Sequence, residues 1–302
     1  MDISFNNITF IIVTCKSESI INGCIETLPK ESPKIIIENS NNKILKQELE
    51  DKWSNIEVIL SENNGMGASS NIGLNKCKTQ FGYVINPDVR FKDDTLKKII
   101  ESSLLIEDFT ILTPLNSDEK IPNYKIFKDS NFINSLLYIR KHNGNKSINE
   151  NIISIDRIDG FSMLINLDKF KDKNFFDEKI FLFQESTDLC VRVVDKKEKM
   201  YLIKNSLIDH YRAGSHNKSI EDEMHYMRAW HWMWSKYYFN KKHQGFFIAF
   251  IKNFINLIPI FIKYFYSLIL FKKSKRKICA MRISGALNAL LGKNSWYRPK
   301  IN

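Results

Sequence analysis

The chain has 302 residues, of which 43% are hydrophobic and 26% charged, and its formal net charge is +11. That length holds one large α/β domain with an appendage, and that apolar fraction excludes a disordered or fibrous chain. The charge is uneven: from Met224 onward there are fifteen Lys and Arg but no Asp or Glu, so a mildly acidic body of residues 1–223 carries a basic tail of residues 224–302.

The opening MDISFNNITF has no basic stretch followed by an apolar run, so no secretory signal is expected. Residues 8–14 (ITFIIVT) and 34–37 (KIII) read as buried strands, and residues 55–60 (NIEVIL) and 83–86 (YVIN) follow. Residues 19–28 and 43–53 between them carry helical spacing. Strands alternating with helices imply a parallel sheet, with the ligand beyond the carboxyl ends of the strands. Those ends are residues 14–16, 38–41, 62–71 and 86–88. Residues 117–154 are polar and read as loops and short helices, and regular structure is expected again over 155–167, 175–195 and 200–208. The five cysteines form no C-x-x-C pair and are odd in number, which argues against disulfides or a zinc site.

Four constellations carry chemistry. Asn86-Pro87-Asp88 follows an apolar strand, where a carboxylate can meet a divalent cation bridging two phosphates; the same tripeptide also makes a plain turn. The segment from Glu62 to Gly73 (ENNGMGASSNIG) is a glycine-rich loop in which Asn71 is expected to open a helix, with backbone N–H groups free to face a ligand; a purely structural loop reads the same way. Glu185, Asp188 and Arg192 share a helix face, either as an acidic helix start with an Asp188–Arg192 ion pair or as a carboxylate that deprotonates a hydroxyl. His210 ends the run YLIKNSLIDH and is either structural or a ligand.

In order and spacing these segments resemble family 2 glycosyltransferases of the GT-A fold, in particular the rhamnosyl-, galactosyl- and galactofuranosyltransferase-like enzymes of O-antigen and capsule synthesis. The resemblance runs from about residue 8 to 215. It rests on IIVTCKS (11–17), IIIENSNN (35–42), SENNGMGASSNIGL (61–74) with YVINPDV after it, DGFSMLI (159–165), and FDEKIFLFQESTDLCVR (176–192) with IDHYRAGS (208–215) after it. It implies a Rossmann-like mixed α/β sheet flanked by helices, binding a nucleotide-diphospho-sugar such as a UDP- or dTDP-sugar with Mg²⁺ or Mn²⁺. By this resemblance Thr14 and Glu38 touch the nucleotide, and Asn63, Asn64 and Asn71 lie beside the donor. Asn86 and Asp88 match the D-x-D element, with Asp88 and His210 as metal ligands, and Asp159 and Gly160 sit under the donor sugar. Two positions depart from the family pattern. Glu38 stands where Asp is usual, and Ser186 stands where relatives place the carboxylate that serves as general base. A serine is no base near neutral pH, so the catalytic role passes to Glu185, with Asp188 next. The implied reaction is a single displacement with inversion, in which the carboxylate takes the acceptor proton.

In the tail, Trp230, Trp232, Trp234 and the tyrosines around them are expected in a membrane headgroup zone. Residues 245–271 are apolar except for a narrow stripe of Lys252, Asn256, Lys263 and Ser267, which suits an amphipathic helix lying in the interface; a single spanning helix, or soluble helices packed on a partner subunit, are the alternatives. The basic run KKSKRK that follows suits an anionic leaflet. Nucleic acid fits poorly, because the aromatic residues are set in apolar rather than basic sequence. A peripheral enzyme on the cytoplasmic face of the bacterial inner membrane, acting on a polyprenyl-diphosphate-linked glycan, is the expectation. A nucleotidyltransferase would want a basic signature loop, which residues 14–28 lack. A degenerate, non-catalytic nucleotide- or glycan-binding subunit is the alternative that Ser186 keeps open.

Overall fold

The structure is a computed structural model that describes residues 3–118, 120, 122–127, 144–211 and 218–298. The 212–215 part of the IDHYRAGS match lies outside the described residues. The chain divides into two compact units. One comprises residues 1–129, 141–177 and 186–215; the other comprises residues 130–140, Glu178–Glu185 and His216–Asn302.

Among the described residues, the first unit is built on a nine-stranded sheet. Strand β1 (Ile8–Thr14) is buried at all seven positions, as a central strand covered on both faces must be. Helix α1 (Glu18–Glu26) leads to β2 (Lys34–Glu38), α2 (Lys43–Lys52) to β3 (Ile56–Leu60) and α3 (Met66–Lys76) to β4 (Phe81–Ile85). Short β5 (Val89–Phe91), α4 (Thr95–Ser103) and β6 (Ile111–Asn116) follow. Next come β7 (Tyr124–Lys125), β8 (Ile152–Ser154), β9 (Arg157–Ile158), β10 (Ser162–Asn166), α5 (Glu185–Asp195) and the long β11 (Met200–His210).

The sheet order is β3-β2-β1-β4-β10-β6-β11-β5, with β8 also on β11, while β7 and β9 pair apart. Strands β1 to β4 run parallel, as the alternation of strands and helices implied. Strand β10 runs antiparallel between β4 and β6 and makes the sheet mixed. Period-two alternation along β1 sends Phe10 and Ile12 into one core with Ile21 and Ile25 of α1 and Leu45 and Leu49 of α2. Ile11 goes to the opposite core with Leu74 of α3 and Leu189, Cys190 and Val193 of α5. All five cysteines are unpaired.

Among its described residues the second unit contains three helices: α6 (Lys218–Gln244), α7 (Phe246–Ile269) and α8 (Lys273–Leu290). Gly245, at φ 83°, is the single-residue joint between α6 and α7. Trp230 is fully buried, Trp234 is 4% exposed and Tyr237 2% exposed, and these rings form the core of this unit. The expected headgroup cluster is therefore corrected. Residues 230, 234 and 237 recur at i, i+4 and i+7, so they share one helix face, and only Trp232, off that face, is largely exposed among the tryptophans of α6. The backbone of α8 comes close to α6 at Gly285, where an added Cβ would stand 2.2 Å from the Trp230 carbonyl oxygen.

Helix α7 buries Ala249, Asn253, Leu257, Ile260 and Ser267, and it exposes Phe247, Ile251, Phe254, Ile255, Ile262, Phe265 and Ile269 along its length. The polar stripe is partly turned into the helical unit, with Lys263 exposed. Asn256 accepts from Lys236 of α6 at 3.0 Å, and Ser267 is buried, its hydroxyl donating to the Lys263 carbonyl. By length and composition α7 is apolar enough to cross a membrane, with a mean hydropathy of 1.7.

Candidate active site

The carboxyl ends of the parallel strands bring the expected donor residues to one edge of the sheet. Thr14 and Glu38 are direct register partners at the ends of β1 and β2. Thr14 is buried, and its hydroxyl has no hydrogen-bond partner among the described residues. Glu38 is fully buried and spends both carboxylate oxygens on its own loop. It accepts from the Ser40 amide at 3.0 Å, from the Ser40 hydroxyl, and from the Asn42 amide at 2.6 Å. This carboxylate fixes the backbone beyond β2.

The loop after β3 differs from its reading in one respect. Helix α3 begins at Met66, behind Gly65 at φ 100°, so Asn71 lies inside the helix and does not open it. Its amide donates to the Phe176 carbonyl at 2.9 Å, and its side-chain oxygen accepts from the Phe176 amide at 3.0 Å, clamping a backbone 105 residues away. Asn63 accepts from the Gly65 amide at 3.3 Å and closes the loop, while Asn64 is exposed.

The Asn86-Pro87-Asp88 turn closes with the Val89 amide donating to the Asn86 carbonyl at 3.2 Å. Strand β5 then pairs antiparallel with the end of β11, with Val89 opposite His210. That pairing carries His210 to Asp88: Nε2 stands 3.3 Å from Oδ1. The two form an ion pair when the imidazole is protonated, and Asp88 Oδ1 and the ring's other nitrogen, His210 Nδ1, are buried without a hydrogen-bond partner among the described residues. Buried polar atoms left without a hydrogen bond are costly unless another group satisfies them. Two oxygen and nitrogen donors are a sufficient protein share for Mg²⁺ or Mn²⁺, whose other ligands are phosphate oxygens and water. No group of three or more His, Cys, Asp or Glu side chains gathers for a metal among the described residues.

Two residues that the sequence reading left unassigned hold this corner. The Phe161 ring stacks on the His210 imidazole with centroids 4.0 Å apart, and its carbonyl accepts from the Asn86 amide at 3.0 Å. Arg90 donates to the carbonyls of Pro87 at 3.0 Å, Val89 at 2.9 Å and Ile20 of α1 at 2.8 Å, stapling the turn to the first helix. Asp209 is tied to Lys92 and Ser117, which fixes the end of β11. The signal for Phe161 was its place directly after Asp159-Gly160 and before a strand; Arg90 offered none.

The region 9–164, which spans these strands, the loop, the turn and β10, matches the family described as glycosyl transferase family 2 and makes up more than half of the chain. The chain belongs to glycosyl transferase family 2. It is a glycosyltransferase that works with a nucleotide-sugar donor. It is 28% identical over 202 residues to the rhamnosyltransferase WbbL of Escherichia coli (strain K12), covering 61% of this chain and 75% of that protein. In fold it is similar to GalNAc-T7, solved with UDP, GalNAc and Mn²⁺, at a TM-score of 0.53 and 13% identity, covering 80% of this chain and about half (51%) of that one. It is also similar to the mannosyltransferase PcManGT of Pyrobaculum calidifontis, solved with GDP-Man and Mn²⁺, at a TM-score of 0.50 and 11% identity, covering 95% and 88%.

The remaining residues expected in this glycosyltransferase's site lie in the 159–160 loop and at the start of α5. Asp159 approaches Arg157 at 3.5 Å. Gly160 faces Ser186: a Cβ at 160 would stand 3.0 Å from the Ser186 Cβ. Asp188 is fully buried and accepts from Arg192 Nε at 2.9 Å, the ion pair anticipated from the sequence. Arg192 also donates to the Asn174 carbonyl at 2.8 Å and to that of Phe175, so this pair anchors the loop before α5. Glu185 is the first residue of α5. Its Oε2 is buried without a hydrogen-bond partner among the described residues, and burial pushes its pKa up from 4.5 to about 7.

Proposed function

We propose that this glycosyltransferase transfers one sugar, with inversion and with the help of Mg²⁺ or Mn²⁺, from a UDP- or dTDP-linked donor to a hydroxyl of a polyprenyl-diphosphate-linked glycan. The observation that carries the reading is the meeting of Asp88 and His210 at the carboxyl end of a central strand, with Asp88 Oδ1 and His210 Nδ1 buried and without hydrogen-bond partners among the described residues. It supports a cation site where a diphosphate would lie in a sheet of this type. A cation held there supplies charge neutralisation on the departing nucleoside diphosphate.

The chain's own residues do the rest. Thr14 offers an unsatisfied hydroxyl to the nucleotide, beside the loop that Glu38 holds rigid. Asp159 and Gly160 support the donor sugar, with no side chain at 160 to crowd it. Glu185 accepts the proton of the acceptor hydroxyl as the new bond forms; a base with a pKa near the working pH is suited to that step. Asp188 is already committed to Arg192 and is the weaker candidate.

The second unit supports a peripheral place on the cytoplasmic face of the inner membrane. Its α7 presents an unbroken apolar face, with Phe247 80% exposed and Phe271, just past the helix end, 86% exposed. Beside it a cavity of about 300 Å³ is lined by Lys263, Lys272 and Lys275. Apolar surface flanked by lysines fits an anionic lipid surface, which would bring the enzyme to an acceptor that cannot leave the bilayer.

The test is nucleotide release by purified enzyme over a panel of UDP-, dTDP- and GDP-sugars, a rhamnose donor among them, with a lipid-linked acceptor and with Mn²⁺, Mg²⁺ or EDTA. Turnover of one donor, abolished by EDTA and by Asp88→Ala, is the expected result. Full activity in EDTA would remove the metal from the reaction. Binding of the nucleotide with no turnover of any donor would leave a non-catalytic subunit.

A further inference from the structure

The reaction as described asks nothing of the second unit beyond Glu185, yet that unit builds a distinctive seat for the residues just before it. Phe183 and Gln184 have φ of 66° and 71°, two consecutive non-glycine residues in the left-handed region. Such residues persist only where their surroundings over-determine them, and they cluster at functional sites.

The surroundings belong to α6 and to the end of the chain. Ser235 of α6 donates its hydroxyl to the Leu182 carbonyl at 2.7 Å. The Phe183 ring meets Trp232 edge-on at 5.3 Å. The Phe181 ring lies 4.5 Å from the His231 imidazole, and the Arg298 guanidinium carbon stands 3.7 Å over the same phenyl ring. His231 is bonded at both nitrogens: Nε2 to the Tyr297 carbonyl at 2.7 Å and Nδ1 to the Ser295 hydroxyl at 3.1 Å. A carbonyl only accepts, so Nε2 carries the hydrogen and Nδ1 accepts from serine. Burial lowers the His231 pKa to about 4, so the neutral ring that this pattern needs is the one present. Arg298 closes the loop by donating to the Ser295 carbonyl at 2.8 Å and the Tyr297 carbonyl at 3.0 Å.

We propose that residues 295–298 are a positioning clamp for the catalytic base: acting through His231 and Phe181, they hold Glu178–Glu185 on α6 in the backbone geometry that aims Glu185 at the acceptor hydroxyl. None of these residues touches the reacting atoms. The inference rests on Glu185 being the proton acceptor, and the test separates the two ideas. Arg298→Ala removes the cation over Phe181 and the ties to two carbonyls at an exposed position, and Ser295→Ala removes the donor to His231.

The full-length enzyme is assayed as wild type, Glu185→Gln, Arg298→Ala, Arg298→Lys, Ser295→Ala and the Arg298→Ala/Glu185→Gln double variant, with kcat, donor KM and the pH profile of kcat. Arg298→Ala is expected to lower kcat about tenfold with donor KM unchanged and to shift the acid limb of the pH profile, because a displaced carboxylate changes both its reach and its burial. Arg298→Lys keeps a cation near the ring and should recover part of the loss. In the Glu185→Gln background Arg298→Ala should cost nothing more, since residues that act through one group are not additive.

Equal losses in both backgrounds, or a loss of folded protein with an unmoved pH profile, would reduce the clamp to a structural element and overturn the proposal. Wild-type kcat in both Arg298→Ala and Ser295→Ala would overturn it as well. If Glu185→Gln alone keeps wild-type activity, the base assignment itself falls, and the clamp falls with it. An inactive Glu185→Gln beside an unaffected Arg298→Ala removes only the clamp.

Discussion

The sharpest consequence of the proposed assignment is the pH dependence that Glu185, as the base, would impose. Folding raises its pKa from 4.5 to about 7, chiefly by burial. As a base it works only when ionised, so at pH 6 only about one molecule in ten is competent, and kcat falls about tenfold per unit below pH 7. Replacing Glu185 by Gln keeps the shape and removes the base, which should cost on the order of 10²–10⁴ in kcat. The same shift makes a stability statement. The folded chain holds a proton that the unfolded chain releases above pH 4.5. The stability this group contributes is thus complete below pH 4.5 and is lost as pH rises through about 7. The shift is worth at most about 3 kcal/mol, and less to the extent that the residue keeps some contact with water. Glu185→Gln should therefore unfold at a higher temperature than wild type at pH 8 and at the same temperature at pH 4.5. The assays are nucleotide release from pH 5 to 9 and thermal unfolding at the two pH values. An acid limb near pH 4.5, or a glutamine variant that keeps more than about a tenth of wild-type kcat, would refute the reasoning.

Three further outcomes follow from particular contacts. His210→Ala removes one of the two facing donors and should weaken Mn²⁺ binding by about 10- to 100-fold with the fold intact, read by titrating activity with metal and by circular dichroism. Asn71→Ala strands the amide and carbonyl of Phe176 in a buried site and should destabilise the first unit by about 2–4 kcal/mol, read from urea unfolding. Gly285→Ala drives a methyl group to 2.2 Å from the Trp230 carbonyl oxygen, a backbone atom that cannot step aside cheaply. It should cost about 1–3 kcal/mol and lower the unfolding temperature of the helical unit, while Ala286→Gly, at a buried neighbour, should cost less.

The strand ends were legible because apolar runs announce buried strands, and in a parallel sheet ligands are expected where those runs end. Thr14, Glu38, Asn86 and Asp88 all sit there. The meeting of Asp88 with His210 was not legible from periodicity, because it depends on three-residue β5 pairing with a strand end 120 residues later. Phe161 and Arg90 were missed for a related reason. They act through a ring face and through backbone carbonyls, and neither leaves a sequence pattern. Glu38 shows that a residue type and a place do not fix a task, since its oxygens are used by its own loop. The tail aromatics were misjudged on composition, although their spacing carried the answer: Trp230, Trp234 and Tyr237 share a face that α8 covers, and Trp232 lies off it.

Ser186 and the strained entry to α5 belong together. Successive helical residues point about 100° apart. Position 186 is directed at Gly160, beneath the expected donor sugar, and carries a hydroxyl too weakly basic to take a proton at neutral pH. Glu185 lies one residue earlier and would, on an ordinary helix entry, point well away from the direction of 186. The entry is not ordinary. Phe183 and Gln184 are both left-handed, each at a cost of about 1–2 kcal/mol, and the chain turns sharply just before the carboxylate. Two such residues in succession need compensation, and the second unit supplies it through the Ser235–Leu182 hydrogen bond and the packing of Phe181 and Phe183 on α6. Under the proposed assignment, the packing of these residues on α6 gives that helix a part in positioning the base.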